Sequence, residues 1–93
     1  MTVYCENVMV CDVFKAEFKN KETGIINYYP RMIVYSAVDK GLFSMSVPEK
    51  LFDEMKKHLG SRLNVYMLQR TFENHEKGTS RISYKLERFE KVS

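Results

Sequence analysis

The sequence predicts a mainly β domain of five strands, with one short helix inserted between the third and fourth strands. Several segments are rich in β-branched and aromatic residues, and within them apolar and polar residues alternate at period two. Short polar segments, most of which contain glycine, separate these segments. Only the stretch between Pro48 and Gly60 has helical periodicity instead. The length of 93 residues corresponds to one domain, so residues 1–93 are expected to fold as a unit.

The first strand is expected over residues 8–19. Its second half alternates apolar and charged side chains, with Phe14, Ala16 and Phe18 on one parity and Lys15, Glu17 and Lys19 on the other. Its first half is apolar on both parities, with Asp12 as its only charge. That pattern indicates a strand buried on both sides, or a strand that bends and changes partner near Asp12.

Two turns define the second and third strands. The polar segment at residues 20–24 predicts a hairpin loop, and the second strand follows over residues 25–38. Pro30 cannot donate to a ladder, so here the strand is expected to be an edge, to bulge, or to leave one neighbour. A tight turn at residues 39–41 leads into a short third strand at residues 42–47.

A helix is expected over residues 48–59. Pro48 suits the first turn, where its missing N–H costs nothing, and Gly60 supplies a left-handed stop. One face carries the apolar side chains that should plug an end of the domain, namely Leu51, Phe52, Met55 and Leu59.

The fourth and fifth strands are expected over residues 61–72 and 81–91, joined by a loop at residues 73–79. In the last strand Ile82, Tyr84 and Leu86 are predicted to face inward. The alternation breaks after Leu86, which predicts a bulge, a bend or a closing turn at that point.

Composition and residue spacing exclude several classes of function. No run approaches the roughly 20 apolar residues that span a bilayer, and no basic leader precedes the first strand, so we expect a cytoplasmic protein without membrane contact. His58 and His75 have no nucleophile or carboxylate at a recognisable spacing. Together with Cys5 and Cys11 they do not match zinc-ligand spacing, and the two cysteines lie too far apart on one strand to form a disulfide. We therefore expect no enzyme activity, no metal and no cofactor.

Closure into a small barrel is the economical arrangement for these elements, because five strands with one short helix leave sheet faces and edges to cover. The element order resembles that of the OB-fold over nearly the whole chain: a long first strand, a hairpin, a short third strand, a helix and a final hairpin. The expected fold class is therefore a mainly β, five-stranded OB-like barrel. First strands of OB-folds commonly bend at a glycine, and this chain has none between Met1 and Gly24.

The second strand carries the most informative side chains. Tyr29, Arg31 and Tyr35 share one parity, and the more apolar Met32 and Val34 lie on the other, which is expected to face the core. Rings interleaved with a guanidinium suit single-stranded nucleic acid, because bases stack on rings while cations hold phosphates. A half-buried stripe of Tyr and Arg is also common in strands that bind nothing. The nearby cations expected to contribute are Lys15, Lys19 and Lys21.

A second candidate patch lies on the final hairpin and consists of Tyr66, Arg70, Phe72, Lys77 and Arg81, with Lys85 following in the last strand. The OB-fold resemblance implies that the second and third strands form the binding face. It also implies that the loops at residues 20–24 and 73–79 wrap the ligand.

At the level of size and strand-rich composition, the chain resembles the compact single-stranded DNA-binding proteins of bacteriophages and mobile elements. The resemblance implies binding of single-stranded DNA or RNA without catalysis and with little sequence preference, in a process such as DNA replication. It also implies a homodimer, which would cover exposed strand edges and add avidity. The alternative is a small protein-interaction module or inhibitor that uses an edge strand and exposed aromatic residues. The net charge of +3 is a mild basic excess that by itself only permits an anionic partner.

Overall fold

Five strands and one short helix make up the chain, in the order that the sequence predicts. The computed structural model describes residues 1–74, 76 and 78–92, with only the backbone described at Phe72, Asn74 and Thr79. The strands are β1 (Thr2–Lys19), β2 (Ile26–Ser36), β3 (Gly41–Ser46), β4 (Arg62–Asn74) and β5 (Thr79–Lys91). A 3-10 turn at Glu49–Leu51 leads into helix α1 (Phe52–Lys57), between β3 and β4. No helix within these residues is long and apolar enough to cross a membrane.

The five strands close into a ring in the order β1-β2-β3-β5-β4, which returns to β1. Every pairing is antiparallel except that of β3 with β5, which is parallel and consists of a single bridge between Ser46 and Lys85. The Ser46 hydroxyl reinforces this bridge by donating to the carbonyl oxygen of Tyr84 at 3.4 Å. Of the ladders described in the ring, the β3–β5 ladder therefore has the fewest paired residues.

Strand β1 belongs to both sides of the ring and is much longer than the sequence pattern predicts. Its first part, from Thr2 to Met9, pairs with β4, and the part from Met9 to Lys19 pairs with β2. The predicted change of partner therefore occurs, a few residues before Asp12.

Two irregularities bend β1 without a glycine. The first lies between Cys5 and Val8, where Asn7 has a φ of +54°, a conformation that Asn tolerates better than most residues. The Asn7 amide donates to Oδ1 of Asn64 on β4 at 2.9 Å, which holds the kink in place. The second irregularity is a register shift between Val10 and Asp12, where Cys11 is the additional residue.

The bulge at Cys11 reverses the side-chain parity of β1. Val8 and Val10 are buried before the bulge, and Val13 is buried after it. Lys15, Glu17 and Lys19 continue the parity of Val13, while Phe14, Ala16 and Phe18 lie on the outer side of the sheet. The charged side chains are nevertheless exposed, because the hairpin extends beyond the ring. The apolar side chains opposite them point away from the core.

The core fills the ring with side chains from every strand and from α1. The fully enclosed ones include Met32, Val34, Met45, Met55, Leu63, Val65, Met67 and Leu86. The prediction that Met32 and Val34 face inward is confirmed. Strand β2 leaves its second neighbour at Pro30, since pairing with β3 begins at Arg31 and the Pro30 carbonyl accepts the Val47 N–H at 3.0 Å.

Both cysteines are free thiols, with Cys5 buried in the core and Cys11 exposed. Burial, followed by the negative charge of Asp39, raises the pKa of the Cys5 thiol above its ordinary value. Cys5 therefore behaves as a small apolar core residue.

Helix α1 closes one end of the ring with fewer residues than predicted. Phe52 and Met55 are buried, and Leu51 packs against the core from the preceding turn. The expectation that Leu59 joins them is wrong: its side chain is 49% exposed, because the helix ends at Lys57. Gly60 has a φ of +81°, which fits the predicted left-handed stop.

Strand β5 contains the predicted irregularity after Leu86. The register against β4 shifts between Tyr66 and Met67, and Glu87 is the additional residue on β5. Leu86 is buried and Tyr84 packs against the core, but the expectation for Ile82 is wrong because its side chain is exposed. Ile82 pairs with Thr71 on a part of the hairpin that extends beyond the ring.

Replacing Phe52 by Ala should lower the free energy of unfolding by about 3–5 kcal/mol, because it removes a buried ring from the plug. Leu59→Ala is the matched control on the same segment, and it should change stability by less than about 1 kcal/mol since Leu59 is half exposed. Urea denaturation followed by circular dichroism measures both values. Equal effects of the two substitutions would contradict the placement of α1.

Asn7 should tolerate glycine and reject β-branched residues. Asn7→Gly is expected to keep stability within about 0.5 kcal/mol, whereas Asn7→Val should cost about 1–2 kcal/mol or more because a positive φ is strained for a branched side chain. Thermal and urea unfolding of the two variants provide the test. A Val variant as stable as the Gly variant would show that the kink in β1 does not need the left-handed conformation.

Candidate nucleic-acid interface

The outer face of β2 presents the aromatic and cationic side chains that the sequence singles out. Tyr29 is 51% exposed and Tyr35 is 41% exposed, while Arg31 and Ile33 between them are half-buried. The alternation places all four on the side opposite Met32 and Val34. Two open rings therefore flank a guanidinium along one strand.

Neighbouring strands hold this face in position. In the ladder with β1, Ala16 lies opposite Tyr29 and Phe14 lies opposite Arg31, so a small residue leaves the Tyr29 ring open on that side. The Arg31 side chain donates from Nη2 to the Ser44 hydroxyl of β3 at 2.9 Å. This hydrogen bond orients the guanidinium along β3 and leaves it with further N–H donors for a ligand.

Phe18 adds a third exposed ring that the sequence analysis did not assign to the site. It lies on the same outer face, opposite Asn27, and is 59% exposed. Alternation shows only that Phe18 lies opposite the charged side chains of β1, because the parity reversal at the bulge is not visible in the sequence.

Lys15 and Lys19 do not lie beside Tyr29 and Arg31. Their ladder partners are Pro30 and Ile26, which places both lysines on the opposite face of the hairpin. Lys15 points towards the helical segment: its Nζ lies 3.1 Å from Glu49 Oε1 and 5.0 Å from the centre of the Phe52 ring. The physical reason is the additional residue at Cys11, which exchanges the two faces of the strand.

Lys21 lies in an ordered loop at the tip of this hairpin. Oδ1 of Asn20 accepts the amide of Glu22 at 2.8 Å, and the Asn20 carbonyl accepts the amide of Gly24 at 2.8 Å. Gly24 has a φ of +74°, which suits the turn. Lys21 is exposed in this loop and is followed in the sequence by the exposed Glu22.

The ring of strands connects the two predicted patches into one surface. Arg31 pairs with Ser46, Ser46 bridges to Lys85, and Lys85 pairs with Leu68. Neighbouring strands lie about 4.8 Å apart, so the backbones of Arg31 and Lys85 are separated by about 10 Å. This row runs across the β3–β5 junction.

A shallow groove of about 320 Å³ lies next to that row. Its lining combines three cations, one acid and three apolar residues: Lys50, Arg70, Lys85, Glu87, Pro48, Leu68 and Leu86. Lys50, which precedes α1, is a site residue that the sequence analysis missed. No local pattern could identify it, since the groove forms only when the 3-10 turn packs beside β4 and β5.

Tyr66 is not available as an open stacking surface. The Arg88 guanidinium lies 3.7 Å from the centre of its ring, and the Tyr4 ring lies 4.7 Å away at a tilt of 41°. Arg88 in turn pairs with Glu90 at 3.1 Å. Partial desolvation, with smaller contributions from Glu6, Tyr66 and Glu90, raises the pKa of Tyr4 above its ordinary value.

The remaining predicted residues belong to the end of the β4–β5 hairpin. Arg81 is exposed and pairs in register with Phe72. The Phe72 side chain and Lys77 lie outside the described residues, as does His75 in the same loop.

No protein-family model matches this chain, and no curated protein or solved structure matches it significantly.

Proposed function

We propose that this protein binds single-stranded DNA or RNA on the outer face of β2 and along the row that leads to Lys85, without catalysis and with little sequence preference. Tyr29 and Tyr35 stack on bases, and Arg31, Lys85 and Arg70 contact phosphates. The five-stranded ring with its helix between β3 and β4 supports the interpretation as an OB-like barrel, in which this face is the binding face.

The observation that carries the proposal is the pair of exposed tyrosines on either side of a guanidinium. Burying such rings in the core would stabilise the fold, yet the strand presents both to solvent on the same side. Within the described part of the chain, no carboxylate forms an ion pair with Arg31, Arg70 or Lys85. These cations can therefore bind an anion without first breaking an ion pair.

Little sequence preference follows from the kinds of contact involved. Every base offers a π-face to a tyrosine ring, and every nucleotide offers the same phosphate to a cation. The spacing of about 10 Å between Arg31 and Lys85 allows a strand to contact both sides of the β3–β5 junction. DNA and RNA share these groups, so both fit this face; the resemblance in size and element order favours DNA.

Replacing both Tyr29 and Tyr35 by Ala should remove about 2–6 kcal/mol of binding free energy, at roughly 1–3 kcal/mol for each stacked base. Tyr28→Ala is the matched control, since Tyr28 is also exposed on the same strand but lies on the opposite face. Fluorescence anisotropy with labelled single-stranded and duplex oligonucleotides gives the affinities. Equal losses in the double variant and the control, or no preference for single strands, would refute this site.

Removing the charge of Arg31 should weaken the binding of all sequences alike. Arg31→Gln is expected to make the slope of log affinity against log salt shallower by about 0.7, the value for one lost contact with a single-stranded phosphate. Lys19→Gln removes the same charge from the opposite face and should leave the slope nearly unchanged. Titrations between 50 and 300 mM salt, roughly a Debye length of 14 to 6 Å, cover the range needed. A parent protein whose binding does not depend on salt would instead indicate a protein partner at the same rings.

A further inference from the structure

Strand β1 has an open edge along the projecting hairpin. Its pairing with β4 ends at Met9, and the backbone of Val10 exchanges hydrogen bonds with Gly60 and Ser61. From Asp12 to Lys19 the strand pairs, among the described residues, with β2 alone. An edge of this length presents a row of backbone donors and acceptors that another strand can use.

The hydrogen-bond pattern determines which residues point to this edge. The Asn20 amide donates to the Ile25 carbonyl at 2.9 Å, in the same register as the β1–β2 ladder. Hydrogen-bonded and non-hydrogen-bonded pairs alternate along an antiparallel ladder. The backbone groups that form hydrogen bonds with β2 therefore belong to Phe14, Ala16 and Phe18. The backbone N–H and C=O groups that point away from β2 belong to Lys15, Glu17 and Lys19. The position of Pro30 supports this assignment. Pro30 lies opposite Lys15 in a non-hydrogen-bonded pair, so its missing N–H removes no hydrogen bond between β2 and β1.

The side chains along this edge are complementary to themselves. Residues 14–18 read Phe-Lys-Ala-Glu-Phe, which is symmetric about Ala16 in size and opposite in charge. If a second copy pairs antiparallel about Ala16, each Lys15 lies opposite Glu17 of the other copy, and each Phe14 lies opposite a Phe18. Moving the symmetry centre by one residue places two lysines or two glutamates directly opposite each other.

We propose that two copies of this chain associate through the open edges of β1, antiparallel and centred on Ala16, to form a continuous four-stranded sheet β2-β1-β1-β2. Lysine on an edge strand ordinarily opposes pairing. Here Glu17 of one copy lies opposite Lys15 of the other and neutralises its charge. The edge therefore favours pairing with its own sequence over pairing with an unrelated strand. The resulting contact is isologous and closes as a two-fold dimer.

The dimer would join the outer faces of the two copies. Each Tyr29 lies beside Ala16 in its own ladder, so the central row reads Tyr29, Ala16, Ala16, Tyr29. The two Tyr29 backbones are then separated by three strand spacings, or about 14 Å. The exposed Phe18 ring gains a Phe14 neighbour from the second copy, which covers apolar surface that one copy leaves open.

The charge arrangement can be tested by a swap in the absence of nucleic acid. All variants carry Glu49→Gln, which removes the internal partner of Lys15 and should itself leave the dimer intact. Glu17→Lys or Lys15→Glu alone places like charges opposite each other twice, and each should raise the dimer dissociation constant roughly tenfold or more. The double variant restores both pairs and should recover the dimer.

Sedimentation equilibrium provides the measurement, with a mass of 11.0 kDa for one chain and twice that for the dimer. Glu22→Lys makes the same charge change in the adjacent loop and should not affect association. Circular dichroism confirms that each variant folds. A monomeric parent, a Glu17→Lys variant that associates like the parent, or a double variant that stays monomeric would each overturn the proposal.

A disulfide reports the register directly. In a Cys11→Ser background, Ala16→Cys would place two thiols opposite each other across the two-fold axis. The two positions form a non-hydrogen-bonded pair of the ladder, whose Cα atoms lie about 4.5 Å apart, a distance that a disulfide can bridge. Phe18→Cys would place its thiols four residues apart along the strands, or about 13 Å, which is too far. After oxidation with diamide, the Ala16→Cys variant should form a covalent dimer and the Phe18→Cys variant should not. The reverse result would mean that the copies pair about Phe18, and no cross-link in either would mean that this edge is free.

Discussion

The structure depends on how one long strand bends while it remains paired. Strand β1 pairs with β4 through its first part and with β2 through its second part, so the ring can close only if β1 turns between them. A glycine would make such a turn easy, and this strand has none. Asn7 in a left-handed conformation and an additional residue at Cys11 do so instead. The β3–β5 junction is a single bridge, whereas β1 forms long ladders with both of its neighbours.

The same bulge determines the chemistry of the surface. Since it exchanges the two sides of β1, Phe14 and Phe18 join the outer face of Tyr29, and Lys15 turns towards Glu49 at the start of the helical segment. One additional residue thus concentrates apolar and aromatic side chains outside the ring. It also places Lys15, which the sequence analysis had included among the site residues, in an ion pair with Glu49 instead. Exposed rings on a sheet are costly for solubility, which is the physical reason to seek a partner for this face.

Nucleic-acid binding and pairing between copies draw on different atoms of one hairpin. The proposed binding would use side chains on the outer face of β2, whereas the proposed pairing would use the backbone edge of β1, which points sideways from the sheet. A sheet has two faces and two edges, and a projecting hairpin leaves one edge of each strand free. The two proposals are therefore compatible, and each can fail without the other.

The sequence by itself determined the element order, the inward parity of Met32 and Val34, an interruption of the pairing at Pro30 and the irregularity after Leu86. Each of these follows from a local rule: alternation, the missing proline N–H, or a break in periodicity. Only the tertiary structure decided the faces of Lys15, Phe18 and Lys19, because a bulge of one residue inverts parity and leaves composition unchanged. Only packing could show that Tyr66 is covered by Arg88 and Tyr4, and that Lys50 reaches the groove beside Arg70. Local patterns record which residues alternate, but contacts between distant segments depend on where the strand bends.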